Sequence, residues 1–299
     1  MVRKNIIFKG SGVALVTPMN LDESINYDCL EKLVEFNILN NTQALVICAT
    51  TGEGPVLSFD ERKEIIEFVV NKTNGRIPVI VGTGSLDTKH AVKLSLQAQE
   101  LGANGLLIVT PYYNKTSQRG IIEYYKYISD RVNLPIIIYN NPTRTGLNIL
   151  PETYLELSKL ENIVATKEAN GDVSSAIKTK ALCRDNLNIY TGNDDQMLPL
   201  LSIGGIGGIS AFANICPKEM QDLYEFYVSN NTQKALDLLF KYNKLIHALF
   251  SIVNPIPVKT ALNMMGFECG SCRMPLVEMP ENLKLELKQE LIEKNIINN

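Results

Sequence analysis

Eight short, nearly continuous apolar runs punctuate the chain, and they restrict its fold more than any other feature. They read VALVTP at 13–18, ALVICAT at 44–50, PVIVGTG at 78–84, GLLIVTP at 105–111, PIIIYNN at 135–141, IVATKEA at 163–169, LNIYTGN at 187–193 and GGISAFA at 207–213. Strands buried on both faces read this way, as in a parallel sheet, because neither face alternates with solvent. Helix-period segments lie between the runs, over 28–39, 58–70, 88–101, 118–131, 151–160 and 174–185. Ser58 to Glu61 has the spacing of a capping box, and Pro217 suits a first helical turn.

Eight strands alternating with helices predict an α/β chain, a closed (β/α)8 TIM barrel. The competing fold, an open doubly wound sheet, ordinarily has a Gly-rich dinucleotide turn after its first strand, and none follows here. Past about residue 230 the strand signals stop. Helical patterns at 232–250, 257–266 and 281–295 predict a small C-terminal appendage packed on the barrel. The expected division is a catalytic barrel over 1–230 and a helical subdomain over 231–299.

Composition then excludes several classes. A formal net charge of -3 leaves no electrostatic footprint for nucleic acid or an anionic membrane. The opening MVRKNIIFKG has no apolar core of a signal peptide, and no apolar run reaches the roughly 18 residues of a membrane span. The expected location is the cytoplasm. Two histidines, His90 and His247, argue against a histidine metal centre or a Ser-His-Asp triad. Cys29, Cys48, Cys183 and Cys216 read as small core residues. Cys269 and Cys272 form an isolated C-x-x-C, without the second pair or histidines of a zinc site, and read as reduced thiols.

In a (β/α)8 barrel, catalytic groups sit at the C-terminal strand ends. Here those ends carry Thr50-Thr51-Gly52-Glu53, Gly82-Thr83-Gly84-Ser85, Pro111-Tyr112-Tyr113-Asn114 and Tyr139 to Gly146, and the sixth strand contains Lys167. Burial disfavours an ammonium, and a neutral amine can attack a ketone to form an imine. A lysine near a strand end equally fits a solvent-facing residue. Imine chemistry needs proton transfer, which phenols and hydroxyls such as Tyr139 and Thr51 can relay. The Thr50-Thr51-Gly52 turn offers hydroxyls and backbone N–H groups to a carboxylate. Arg144 suits a second carboxylate. Each residue alone has an ordinary structural role; together on one rim they point to Schiff-base chemistry.

The motifs TTGE at 50–53, GTGS at 82–85, TPYYN at 110–114, YNNPTRTG at 139–146, TKEA at 166–169 and NPIPVK at 254–259 span nearly the whole chain. On them the chain resembles the 4-hydroxy-tetrahydrodipicolinate synthase (dihydrodipicolinate synthase) family of the pyruvate-dependent aldolase superfamily. The resemblance implies that Lys167 forms an imine with pyruvate. It implies that Tyr139, Thr51 and Tyr113 relay protons, Tyr113 being donated across a tight dimer interface. Thr50 and Thr51 would hold the pyruvate carboxylate, Arg144 the carboxylate of L-aspartate-4-semialdehyde, and Gly192 and Ile209 would line the pocket. It implies no metal or organic cofactor, a place in lysine and diaminopimelate biosynthesis, and a homo-oligomer built as a dimer of tight dimers.

Neuraminate lyases share the matches to Lys167 and Tyr139, but usually carry Ser-Thr where this chain has Thr50-Thr51, and lack a match to Arg144. The alternatives are an N-acetylneuraminate or 2-keto-3-deoxy sugar acid aldolase and a catalytically silent pyruvate-binding barrel. Family members inhibited by lysine hold it with polar groups near TTGE and GTGS. Here those positions are Gly54, Pro55, Phe59, Arg62, Leu86 and His90, with only Tyr112 matching. The expectation is weak or absent inhibition by lysine.

Overall fold

The computed structural model describes residues 4–298. Eight parallel strands close into a barrel in sequence order: β1 Gly10–Ala14, β2 Ala44–Ile47, β3 Val79–Gly82, β4 Gly105–Val109, β5 Ile136–Asn140, β6 Ile163–Glu168, β7 Asn188–Thr191 and β8 Gly207–Ser210. Around them lie α1 Tyr27–Leu39, α2 Phe59–Thr73, α3 Thr88–Glu100, α4 Gln118–Ser129, α5 Pro142–Thr145, α6 Pro151–Leu157, α7 Val173–Cys183, α8 Met197–Ser202 and α9 Pro217–Val228. Three more helices follow, α10 Thr232–Ala248, α11 Ile256–Met264 and α12 Glu281–Glu293. No described helix is long and apolar enough to cross a membrane.

Local sequence explains the helix starts. The Ser58 hydroxyl accepts from the Glu61 amide at 3.1 Å, and the Glu61 carboxylate accepts from the Ser58 amide at 2.8 Å, completing the expected capping box. Pro217 occupies the first turn of α9, where its missing N–H is no loss. Two short helices, α5 and α8, were not expected from periodicity. Both are shorter than the window in which a 3.6-residue pattern emerges.

The first strand differs from expectation. It runs over Gly10–Ala14, not 13–18, and Leu15–Pro18 forms a buried loop at its C-terminal end. Glycines hide its start from a hydropathy reading, and close approach requires them. Gly10 pairs with Gly207 as the barrel closes. A Cβ on Gly207, where φ is +151°, would lie 2.0 Å from the Gly10 carbonyl oxygen.

Side chains sort into two main layers. Ile137, Tyr139, Leu107, Val46, Tyr190 and Ile209 fill the barrel lumen, while Ile136, Ile138 and Ile163 pack outward against the helices. Along β5 this is simple alternation. Strand β6 breaks it: Ile136 pairs with Ile163 but Ile137 with Ala165, so Val164 is bulged out of register. Ile163 faces outward, Val164 and Ala165 both belong to the lumen cluster, and alternation resumes from there. The bulge therefore turns Lys167 inward.

The C-terminal helices are tied to the strand ends by polar contacts. The buried Lys259 ammonium on α11 donates to the Glu53 carboxylate at 2.9 Å and to the Ser271 carbonyl at 2.7 Å. Glu53 also accepts from the Arg273 amide at 2.8 Å. The Arg273 guanidinium forks onto Glu61, with one bond at 3.0 Å. Cys29, Cys48, Cys183 and Cys216 are buried free thiols, as expected. Cys269 is buried with its Sγ 3.7 Å from that of Cys29, rather than facing Cys272.

Candidate active site

Lys167 and Tyr139 are cross-strand partners on β6 and β5, and both face the lumen. Each is 6 % exposed, and the Lys167 Nζ lies 4.5 Å from the centroid of the Tyr139 ring. The amine is thus held over the face of a phenol and within a side chain's length of its hydroxyl, a cation–π distance while it is charged. The Tyr139 hydroxyl accepts from the Asn141 side-chain amide at 2.9 Å, which fixes the ring's polar end at the mouth of the barrel.

Gly192, just past β7, leaves room for the lysine. A Cβ there would lie 3.0 Å from Lys167 Cε and 2.7 Å from Ala169 Cβ. Ile209 on β8 is buried in the same lumen cluster as Tyr139. Thr51 is buried at the end of β2, and its hydroxyl accepts from the Asn254 side-chain amide at 2.9 Å. Thr50 lines a cleft of about 650 Å³, including its mouth to solvent, together with Tyr112, Tyr139, Ser85, His90 and Arg62. Arg144 on α5 is exposed and donates to the Asn254 backbone carbonyl at 2.9 Å.

Tyr113 is the exception among the expected residues. It is 87 % exposed and takes a left-handed φ of +63°, so within one chain it projects into solvent from the end of β4. A tyrosine held in that backbone region is uncommon and invites an explanation beyond packing. The rest of the expected set, Lys167, Tyr139, Thr50, Thr51, Arg144, Gly192 and Ile209, gathers at the C-terminal mouth of the barrel.

Three residues at this mouth escaped the sequence reading. Asn254 touches both Thr51 and Arg144, and its own side-chain oxygen is buried without a partner. It stands in NPIPVK, whose other residues drew attention only as a motif. Asp194 is buried; its carboxylate accepts from the Phe212 amide at 2.9 Å. Burial pushes this carboxyl above its ordinary value, opposed by the bonds from Ser210 and Phe212 and by the charge of Lys167. Glu168 stands on the outer face of β6 and accepts from Asn140, Tyr154 and the Asn170 amide. The sequence reading missed both acids because strand parity and burial, not residue type, give them their surroundings.

The arrangement offers a buried amine, an adjacent phenol, a hydroxyl at the neighbouring rim and a guanidinium at the entrance. Such a set can bind carboxylates and move protons around an imine. Residues 7–294 match the model of the dihydrodipicolinate synthetase family. The chain is 54 % identical over 290 residues to a 4-hydroxy-tetrahydrodipicolinate synthase of Caldicellulosiruptor saccharolyticus, covering 97 % of this chain and 98 % of the relative. A crystal structure of dihydrodipicolinate synthase from Thermotoga maritima superposes with a TM-score of 0.95 at 42 % identity, over 98 % of this chain and 100 % of that one. The dihydrodipicolinate synthase of Acinetobacter baumannii, solved in complex with pyruvate, gives 0.95 at 39 % identity, over 97 % and 99 %. The chain belongs to the dihydrodipicolinate synthetase family.

Proposed function

We propose that this chain catalyses the reaction for which its relatives are named, the condensation of pyruvate with L-aspartate-4-semialdehyde, with Lys167 as the covalent nucleophile. The observation that carries the assignment of Lys167 is its burial against Tyr139 inside the barrel mouth.

In this reading the hydroxyls and amides of Thr50 and Thr51 take the pyruvate carboxylate. The Lys167 amine adds to the keto carbon, and loss of water gives the imine. Tyr139 and Thr51, joined by Tyr113 from a second copy of the chain, carry protons to and from the reacting atoms. The pyruvate methyl loses a proton to become an enamine, the C–H pair forming the new C=C bond as the C=N pair moves onto the Lys167 nitrogen. The enamine attacks the aldehyde carbon while Arg144 holds the distal carboxylate. The amino group of the adduct then closes onto the imine carbon and expels Lys167, giving 4-hydroxy-tetrahydrodipicolinate.

Tyr113 supports an active unit of at least two chains, because its ring is solvent-facing in a single one. The same reading makes the assembly a dimer of tight dimers, places the enzyme in the cytoplasm, and divides the chain into a barrel over 1–230 and a packed helical subdomain over 231–299. It requires no organic cofactor.

Borohydride trapping tests it. With pyruvate present, reduction should leave a stable adduct on Lys167, located by peptide mass mapping and absent from Lys167→Ala. Adding L-aspartate-4-semialdehyde before the reductant should deplete the adduct. An adduct indifferent to the semialdehyde would shift the assignment to a sugar-acid aldolase, and no adduct on wild-type protein would overturn it.

A further inference from the structure

The residues behind the imine-forming pair are as ordered as the pair itself. On β5 and β6, Tyr139 partners Lys167 and the next residues, Asn140 and Glu168, partner each other. Strand alternation sends the first pair into the lumen and the second outward. There, one Glu168 oxygen accepts from the Asn140 side-chain amide at 2.8 Å and from the Asn170 backbone amide at 3.1 Å. The other accepts from the Tyr154 hydroxyl on α6 at 2.8 Å. Tyr154 in turn accepts from the Thr166 hydroxyl at 3.1 Å. Asn140 is anchored further, donating to Asn148 at 2.8 Å and accepting from the Ile149 amide at 3.3 Å.

Resting on the function proposed above, we propose that Glu168 is a positioning residue for that reaction: its carboxylate clamps β5 to β6 directly behind Tyr139 and Lys167 and fixes the amine over the phenol. Three donors converge on it, and among the described residues no lysine or arginine forms a salt bridge with it. A buried carboxylate without a cation is an expensive way to join two strands that apolar side chains could join instead. What it supplies is direction. Each oxygen dictates where an amide or hydroxyl must sit, and sub-ångström placement of reacting groups is worth orders of magnitude in rate.

The clamp is also sensitive to protonation. Burial pushes the Glu168 carboxyl up to about 7, against the opposing pull of the Tyr154, Asn170 and Asn140 bonds. The titratable group facing it is Tyr154, whose own phenol burial holds well above its ordinary value, so it stays a neutral donor. Asn140 of β5 and the amides of the following loop carry no charge. A protonated Glu168 presents a hydrogen that the Asn140 and Asn170 amides cannot accept and that Tyr154 can accept only by giving up its own donated bond, so one bond is lost. The clamp is half lost at about pH 7, complete well above it and loosened below it.

Two variants test this, Glu168→Gln and Tyr154→Phe, with kcat, KM for pyruvate and the rate of borohydride trapping followed from pH 6 to 9. Wild-type kcat should fall on the acid side with a midpoint near 7. Glu168→Gln should lose about tenfold to hundredfold in kcat at pH 8, with little change in KM, and should lack that acid limb. Tyr154→Phe keeps the carboxylate but removes a donor that favours its charged form, so the limb should move to higher pH. Should Glu168→Gln not fold, the limb of Tyr154→Phe decides alone. An acid limb unmoved in Tyr154→Phe, or retained in a folded Glu168→Gln, would overturn the proposal while the Lys167 adduct still forms. Absence of the wild-type adduct would instead indict the function proposed above.

Discussion

Replacing Lys259 by methionine isolates the bond between the C-terminal helices and the catalytic rim. The Lys259 and Glu53 side chains are 2 % and 0 % exposed, with the ammonium 2.9 Å from the carboxylate. Methionine fills nearly the same volume, so little cavity is created. What is lost is charge pairing. Glu53 keeps the Arg273 amide and the weakly donating Cys272 thiol but no cation, and the Ser271 carbonyl loses its only described side-chain partner. Removing one member of a buried ion pair costs about 3–5 kcal/mol, because the other charge stays buried and unpaired. Lys259→Met should therefore lose about 3–5 kcal/mol in urea unfolding at fixed protein concentration. The double variant Glu53→Gln, Lys259→Met should recover most of that loss, since neither orphan is then charged. Activity should fall in the single variant too. Asn254, which donates to Thr51, lies just before α11, the helix that carries Lys259. A single variant within about 1 kcal/mol of wild type, or a double variant no better than the single, would refute this account of the rim.

Two further outcomes follow from named contacts. The Arg273 fork and the Ser58 cap hold the Glu61 carboxyl down to about 2, below its ordinary 4.5. Its contribution to stability is complete above about pH 4.5 and is lost as pH falls toward 2. Melting temperatures of Glu61→Gln should therefore depend less steeply on pH between 5 and 2 than those of wild type, and identical slopes would contradict the assignment. The second concerns lysine. The cleft beside Tyr139 is lined by Gly54, Pro55, His90 and Tyr112 but by no carboxylate, so a lysine side-chain ammonium would find no anionic partner there. Inhibition by 1 mM lysine should be slight in a steady-state assay, and half-inhibition below that concentration would count decisively against the expectation.

The barrel was legible because parallel strands leave a coarse signal: eight apolar runs, each followed by a helical period. Lys167 stood out for the same reason, as a cation within such a run. Legibility failed where structure depends on a local irregularity or on distance along the chain. The start of β1 is written in glycines, which hydropathy ignores, although Gly10 and Gly12 could have hinted at a tight seam. The four-residue α5 is signalled by Pro142 and Gly146, its opening proline and left-handed cap, rather than by periodicity. Asn254 meets Thr51 across 203 positions, and Lys259 meets Glu53 across 206. No spacing rule reaches that far. Glu168 was passed over as the neighbour of a lysine, because only the folded strand reveals which of two adjacent charges faces the helices.

The Val164 bulge makes the enzyme's chemistry a matter of counting. Draw the same residues straight, with Val164 taking its own place in the ladder opposite Ile137, and every later side chain exchanges faces: Glu168 would enter the lumen and Lys167 would turn toward α6. That register would offer a carboxylate to Tyr139 and bury an amine beside Tyr154, with no amino acid chemically altered. Deleting Val164 has the opposite outcome: Ile163 stays opposite Ile136, Ala165 stays opposite Ile137, and Lys167 still meets Tyr139. The bulge is thus a spare residue that keeps the count in frame. Deletion of Val164 should keep the Lys167 adduct, and deletion of two residues from 164–166 should lose it, much as a frameshift reads out a gene's frame.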